Sequence, residues 1–312
     1  MKTSAQWGCS DPLPAPPDWR PTPPDPILNA MPNTRPIPLF TMAALIIGTA
    51  IMCAGCSSGH KQPTDDNPVV ITLETVPNEA VPGDSITLVW KFNLAADWHL
   101  YWAGRNDTGF PPMIDLELPV GWVAGGLQWP APERHVSAGD ILDHVYFGEL
   151  VLIQKLGAPD DAPMDGQIEI KADVQWLACK NMCVPGRKEL TLNIPVRSHA
   201  ESHEPNSASK AAARIPKILP DGILETVWEG AVYHIQSTNA RSLTFMPTDD
   251  CGQLENLLED GQNERLSLRF KPKGDTVGPV RGLITIEEKS GKSRTYRIDY
   301  PAALHEAAHP GG

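Results

Sequence analysis

The chain has 312 residues and a formal net charge of −12, from 26 Lys and Arg against 38 Asp and Glu. Binding to nucleic acid needs a basic stripe that neutralises phosphates, and none is visible, so the charge argues against a nucleic-acid partner. The 32 Pro, 25 Gly and nine Trp favour packed β layers over a helical bundle. The composition excludes a collagen, a coiled coil and a polytopic membrane protein.

The first 55 residues are predicted to be a targeting region. Residues 1–30 are rich in Pro and lack an amphipathic period, so we expect a disordered or non-native extension before Met31. Residues 31–55 resemble a bacterial lipoprotein signal peptide, with the basic Arg35, a short apolar stretch at 39–52 and small residues before Cys56. The resemblance implies that Cys56 is lipidated and anchors the chain in the cell envelope, on the periplasmic face. An uncleaved signal anchor is the alternative.

The cysteine count depends on this interpretation. Three of the six cysteines lie at or before position 56, which leaves Cys179, Cys183 and Cys251 as free side chains of the mature protein. An exported chain lives where disulfides persist. Because three is an odd number, at least one thiol lacks an intramolecular partner. Acidic neighbours raise the pKa of Cys251, which we expect to be a buried or idle thiol.

The mature chain is predicted to be all-β. A tether at 56–68 leads into β-branched or alternating segments at 69–76, 85–92, 150–156, 168–177 and 190–196. Short strands separated by Gly and Pro turns are typical of an immunoglobulin-like antiparallel β-sandwich, which we assign to residues 69–198.

A second, smaller β domain is predicted at 225–302, after a polar linker at 199–224 and before a loose tail at 303–312. Its clearest hairpin joins 282–288 to 294–300 around Gly291. Residues 250–259 are the one plausible short helix.

The sequence around Cys179 and Cys183 carries the chemistry. Two cysteines four apart on one extended strand would lie ~13 Å apart, whereas a disulfide needs Cα atoms within ~7 Å. Either the chain turns between them or they stand on consecutive turns of a helix. Alternation on both sides favours a β-hairpin with the two cysteines facing each other across a three-residue loop.

A bond across such a short loop contributes little to stability, about 2 kcal/mol against ~4.7 for a hundred-residue loop. An exposed disulfide in a tight loop is also open to attack by a thiolate, and Lys180 would favour a thiolate modestly. The spacing alone is equally compatible with a redox-active bond and with an inert one.

A family resemblance favours the redox interpretation. It is carried in chain order by Gly121-Trp122, Trp129-Pro130-Ala131-Pro132, Tyr146-Phe147-Gly148-Glu149, Trp176-Leu177-Ala178-Cys179 and Cys183-Val184-Pro185-Gly186. These segments resemble the N-terminal periplasmic domain of the thiol:disulfide interchange (DsbD) family, in particular the branch that includes suppressor-of-copper-sensitivity proteins. The resemblance covers residues 69–198.

The resemblance implies an immunoglobulin-like electron carrier whose catalytic pair is Cys179 and Cys183. Tyr146 and Phe147 match the aromatic cap loop that shields this pair in the family. The C-x3-C spacing departs from the C-x5-C of the best-known members. We expect a separate membrane-embedded thiol transporter as electron donor, periplasmic thioredoxin-like proteins as acceptors, and no cofactor.

Two other functions compete with this one. His135 and His144 lie near the presumed cap and would join Cys179 and Cys183 in a soft-metal site of a copper-binding sandwich. A non-redox envelope module would instead bind a partner by strand addition and keep the disulfide as a structural bond. His99, among Trp98 and Trp102, is either a ligand or a histidine satisfied within an aromatic layer.

Overall fold

The computed structural model describes residues 62–200, 206–262 and 264–304, all within one compact unit, Ser58–Gly312. The predicted signal peptide, the lipidation site Cys56 and most of the predicted tail lie outside the described residues.

In the first β region the strands are β1 (Val69–Val76), β2 (Ser85–Leu94), β3 (His99–Tyr101), β4 (Met113–Glu117), β5 (Val123–Ala124), β6 (Glu133–Ser137), β7 (Ile141–Phe147), β8 (Glu149–Gly157), β9 (Gln167–Cys179) and β10 (Cys183–Pro195). A short helix follows, α1 (Ser207–Ala212). The second region contains β11 (Lys217–Ile218), β12 (Glu225–Glu229), β13 (Val232–Gln236), β14 (Ala240–Pro247), β15 (Gly261–Gln262), β16 (Arg265–Arg269), β17 (Thr276–Val277), β18 (Val280–Glu288), β19 (Ser293–Tyr300) and β20 (Ala303–Leu304).

The first region is the predicted immunoglobulin-like sandwich. One antiparallel sheet has the order β1-β2-β8-β5, and the facing sheet has the order β10-β9-β3-β7-β6 with β4 also paired to β9. Strand β9 shows why the sheets pack, since alternate residues from Ile168 to Trp176 point into the core while their neighbours face outward. Trp90 and Phe92 on β2 are fully buried against this layer. Burial of each such side chain contributes about 1.5–3 kcal/mol to the free energy of unfolding.

Helix α1 lies in the predicted linker and covers the outer face of the first sheet. Asn206 caps it by accepting a hydrogen bond from the Ser209 backbone N–H at 2.8 Å. The buried Ala211 packs against Val89 and Val151, so β2 and β8 are covered on both faces. The stretch after the sandwich is therefore part of its packing. No helix among the described residues is long and apolar enough to cross a membrane.

The helix predicted at 250–259 is wrong. The Cys251 N–H bonds the Thr248 carbonyl at 3.0 Å in a turn, and Leu254 forms a β-bridge with Phe270. A Cβ on Gly252 would lie 2.7 Å from the Gly278 Cα, so this backbone packs directly against another segment. These tertiary contacts override a helix preference that is weak over so few residues.

The second region is a mostly antiparallel eight-stranded sheet of order β11-β19-β18-β14-β15-β16-β13-β12, with β11 parallel to β19. The predicted hairpin is confirmed as β18 and β19, in register from Val280 opposite Tyr300 to Glu287 opposite Ser293. Residues 303–304, in the predicted tail, form β20 and pair with β17.

Two arginines of the sandwich contact the second region. The Arg105 guanidinium donates to the Cys251 carbonyl at 2.8 Å and to the Gly252 carbonyl at 3.2 Å. Arg134 forms an ion pair with Asp260 at 2.7 Å. The two β regions therefore meet at β6 and at the segment that follows β3.

Candidate functional site at the Cys179–Cys183 hairpin

Cys179 and Cys183 are bonded to each other at the loop end of the β9–β10 hairpin. Cys179 is the last residue of β9 and Cys183 is the first of β10, directly opposite in register, with Cα atoms 4.1 Å apart. The loop between them is closed by a hydrogen bond from the Lys180 N–H to the Met182 carbonyl at 3.1 Å. The structure confirms the predicted hairpin with facing cysteines.

The two cysteines differ in their exposure. Cys179 is 3% exposed, whereas Cys183 lies on the outer strand and is exposed, like the adjacent Met182. Thiol–disulfide exchange requires access of the attacking thiolate to one sulfur. Cys183 is therefore the more accessible of the two cysteines.

Cys179 is buried by side chains from β3, from β7 and from its own strand, β9. It clusters with Tyr101 and Val145, and Phe147 and Leu177 pack against this cluster. Cys179 pairs with His99 of β3, and His99 pairs in turn with Phe147 of β7. The three residues form a row across adjacent strands on one face of the sheet.

The predicted cap residues lie in strand β7, not in a loop, and they face opposite sides of the sheet. Phe147 packs beside Cys179. Tyr146 is 5% exposed in the core of the sandwich, where its hydroxyl donates to the Pro130 carbonyl at 2.8 Å and its ring stacks on Trp129. Burial raises the pKa of Tyr146 well above its usual value. Of the two, Phe147 lies on the face of the sheet that carries Cys179, and Tyr146 lies on the core face.

His99 is the centre of the aromatic cluster beside Cys179. Its ring centroid lies 5.3 Å from that of Tyr101, 5.4 Å from that of Phe147 and 5.6 Å from that of His135. Burial lowers the pKa of His99, and the nearby His135 lowers it further, while Asp143 raises it. From the sequence, His99 was either a metal ligand or a histidine with its hydrogen bonds made inside an aromatic layer. Its position opposite Cys179 could not be predicted, because it depends on the register between strands that are distant in sequence.

The predicted grouping of His135 and His144 with the cysteines does not form. In the β6–β7 pair, His135 faces Asp143 and His144 faces Arg134, so the two histidines point to opposite sides of the sheet. His144 Nδ1 is hydrogen-bonded to the Arg105 carbonyl at 2.7 Å. Across residues 62–200, 206–262 and 264–304, no group of three or more His, Cys, Asp and Glu side chains is arranged to hold a metal. The copper-binding alternative gains no support from this geometry.

The charge of Lys180, in the loop between the two cysteines, is paired with carboxylates. Its ammonium lies 3.3 Å from Asp65 Oδ1 and 3.7 Å from Asp97 Oδ2. Asp65 also accepts a hydrogen bond from Trp98 Nε1 at 2.7 Å, and this bond, with Lys180, lowers the Asp65 pKa. The end of the predicted tether therefore contacts the loop. The two carboxylates partly neutralise the charge of Lys180, which weakens its effect on the sulfurs.

Cys251 lies apart from this site, in the second β region. It is 6% exposed and its thiol donates to the Pro279 carbonyl at 3.4 Å. Burial is the largest cause of its raised pKa, with Asp250 a lesser one. The predicted burial of this thiol is confirmed.

Comparison with known proteins agrees with the geometry. Residues 69–195 match the family described as thiol:disulfide interchange protein DsbD, N-terminal. The N-terminal periplasmic domain of ScsB from Proteus mirabilis shares 16% identity and a TM-score of 0.52, over 77% of this chain and 96% of that one. The DsbD N-terminal domain of Neisseria meningitidis, in its reduced form, shares 14% identity and a TM-score of 0.27, over 45% of this chain and 90% of that one. No curated protein matches.

The likeness to the ScsB domain is one of fold. The structural match covers 77% of the chain, which is more than residues 69–195. The shared fold therefore extends into the second β region. With the family match over the sandwich, this identifies residues 69–195 as a domain of the DsbD N-terminal family, the family that includes the ScsB domain.

Proposed function

We propose that this chain is a periplasmic electron carrier whose Cys179–Cys183 pair is reduced by one thiol protein and then reduces another. The observation that carries the proposal is the position of the disulfide. It closes a very short loop at the exposed end of a hairpin, where it adds little stability. One of its two cysteines is exposed. Membership of the sandwich in the DsbD N-terminal family supports the same chemistry.

The exchange begins at Cys183 in this proposal. A partner thiolate attacks the Cys183 sulfur, the Cys179–Cys183 bond breaks, and Cys179 leaves as a thiolate. A second thiolate of the partner then attacks the mixed disulfide and releases Cys183. Two electrons and two protons have entered the pair, and the partner carries the new disulfide. The reverse sequence passes the electrons to an oxidised acceptor.

The proposed donor is a separate membrane-embedded thiol transporter, and the proposed acceptors are periplasmic thioredoxin-like proteins. A lipid anchor at Cys56 would keep the sandwich near a membrane-bound donor. Support for the compartment comes from the ScsB structure, whose domain is described as periplasmic. Phe147 is the proposed cap, since it packs against the cluster around Cys179 and would leave Cys183 as the point of attack.

A non-redox binding module is the second candidate, and strand β10 favours it. Among the described strands, this 13-residue strand lies at the edge of its sheet and pairs only with β9. Its Pro195 carbonyl accepts a hydrogen bond from the Ala80 N–H at 2.8 Å, and the outer backbone groups along the rest of the strand are available for strand addition. In that case the disulfide would hold the end of the edge strand and would not exchange electrons.

Trapping of mixed disulfides in cells separates the two candidates. With Cys179→Ser, the exposed Cys183 is left without its resolving thiol, so covalent complexes that dissolve in reductant are expected. Cys183→Ser leaves only the buried Cys179 and should trap far less, while Cys251→Ser serves as the matched control. Failure of both single variants to trap any protein would remove the main support for the relay.

A further inference from the structure

Strand β3 places an imidazole directly beside the buried cysteine. His99 is the residue of β3 that pairs with β9, and its partner is Cys179. Directly opposite residues of an antiparallel pair project to the same face with Cβ atoms ~4.5–5.5 Å apart. His99 is 7% exposed and Cys179 is 3% exposed, so the two neighbouring side chains are both shielded from solvent.

The ring nitrogens of His99 differ from those of the structural histidines. His144 bonds the Arg105 carbonyl, and His234 bonds both Ser267 and Glu229. Neither ring nitrogen of His99 has a hydrogen-bond partner in the described part of the chain, where its contacts are edge-on with Tyr101 and Phe147. A histidine held by ring contacts alone keeps both nitrogens available for a proton.

We propose that His99 exchanges a proton with the Cys179 sulfur during thiol–disulfide exchange. Attack on Cys183 releases Cys179 as an anion in an apolar pocket, where an unpaired charge is unfavourable. The His99 ring, neutral at rest, takes up a proton from solvent as this negative charge forms beside it and passes the proton to the thiolate. In the reverse step the neutral ring takes the proton from the Cys179 thiol, which leaves a thiolate beside an imidazolium, and no electrons move in this transfer. The inference rests on the proposed exchange function.

The surroundings suit a ring that is neutral at rest. Burial lowers the pKa of His99, as does a charged His135. The titratable groups that face it are Cys179 from β9, Tyr101 from its own strand, His135 from β6 and Asp143 from β7. Asp143 raises the pKa of the ring, so a carboxylate supports the imidazolium when it forms.

The test is a pH titration of the Cys179 thiolate, read by its ultraviolet absorbance, in the reduced Cys183→Ser protein with and without His99→Gln. Loss of an opposite charge so close is expected to lower the thiolate fraction near neutral pH about tenfold. His135→Gln, a second histidine of the same cluster, is the matched control and should change it less than about twofold. Burial raises the pKa of Cys251, which therefore absorbs only at higher pH in all three proteins. Superimposable titrations with and without His99 would overturn the proposal.

A measurement on the unmodified chain covers the case in which His99→Gln does not fold. The titration of the His99 ring, followed by NMR, is expected to move to higher pH when the disulfide is reduced. A midpoint that is the same in both redox states would overturn the proposal. An absence of exchange in cells would contradict the proposed function. Neither titration needs a partner protein, so the thiolate and His99 titrations decide the role of His99 separately.

Discussion

Replacement of Phe147 with alanine should speed attack on the disulfide. The phenyl ring packs against the cluster that buries Cys179 and makes edge contacts with His99 at 5.4 Å and with His135 at 5.8 Å. Two aromatic contacts and the partial burial of the ring together contribute about 2 kcal/mol to the free energy of unfolding. Removal of the ring uncovers the buried Cys179 sulfur as a second point of attack, in addition to the exposed Cys183. The expected gain in the rate of reduction by dithiothreitol is roughly tenfold.

Tyr146→Phe is the matched control for this experiment. It removes the hydroxyl that bonds the Pro130 carbonyl, on the core side of the same strand, and costs about 1 kcal/mol. Both variants are therefore less stable, but only Phe147→Ala uncovers the cysteine face. Stopped-flow reduction and urea unfolding of the two proteins separate access from stability. Equal reduction rates in Phe147→Ala and wild type, or a matching acceleration in Tyr146→Phe, would refute the assignment of the cap to Phe147.

Three further predictions follow from the contacts of the sandwich. Asp65→Asn keeps an acceptor for Trp98 but frees the Lys180 charge to stabilise a thiolate, so the reduction potential of the pair should rise in glutathione buffers; Asp66→Asn, which removes a neighbouring carboxylate that forms no ion pair with the described residues, should not raise it. Arg105→Ala loses two hydrogen bonds to the second β region and should lower the unfolding free energy by about 2 kcal/mol in urea, with unchanged stability as the contrary result. Burial lowers the pKa of both His99 and His144, so the unfolded chain binds more protons and stability should fall as pH drops through about 6.5; a thermal midpoint that rises there would contradict this sign.

The sandwich and the redox hairpin could be predicted because their signals are local. Alternation along β9 and β10 fixes which residues face the core, and a four-residue separation leaves a tight turn as one of two ways to join the cysteines. Family motifs then indicated thiol–disulfide exchange, which remains the proposed function. The side of the sheet that Tyr146 faces could not be predicted, because it depends on the register of β7 against β3.

The remaining features depend on contacts between distant segments. His99 lies opposite Cys179 only because β3 and β9, far apart in sequence, become neighbours. Residues 250–259 were predicted to form a short helix, but the bridge from Leu254 to Phe270 and the close packing of Gly252 decide the local structure. Helix α1 was missed because six residues are too few to form a stable helix alone, and the sheet face that stabilises it is formed by distant strands.

The reduction potential of the Cys179–Cys183 pair in the purified protein tests the central claim most directly. A short-loop disulfide with one exposed cysteine, which adds little stability, should equilibrate with glutathione or dithiothreitol. For an electron carrier we expect a potential among those of the exchange proteins, roughly −270 to −120 mV. A potential below about −300 mV would mark a structural bond and contradict the assignment of an electron carrier.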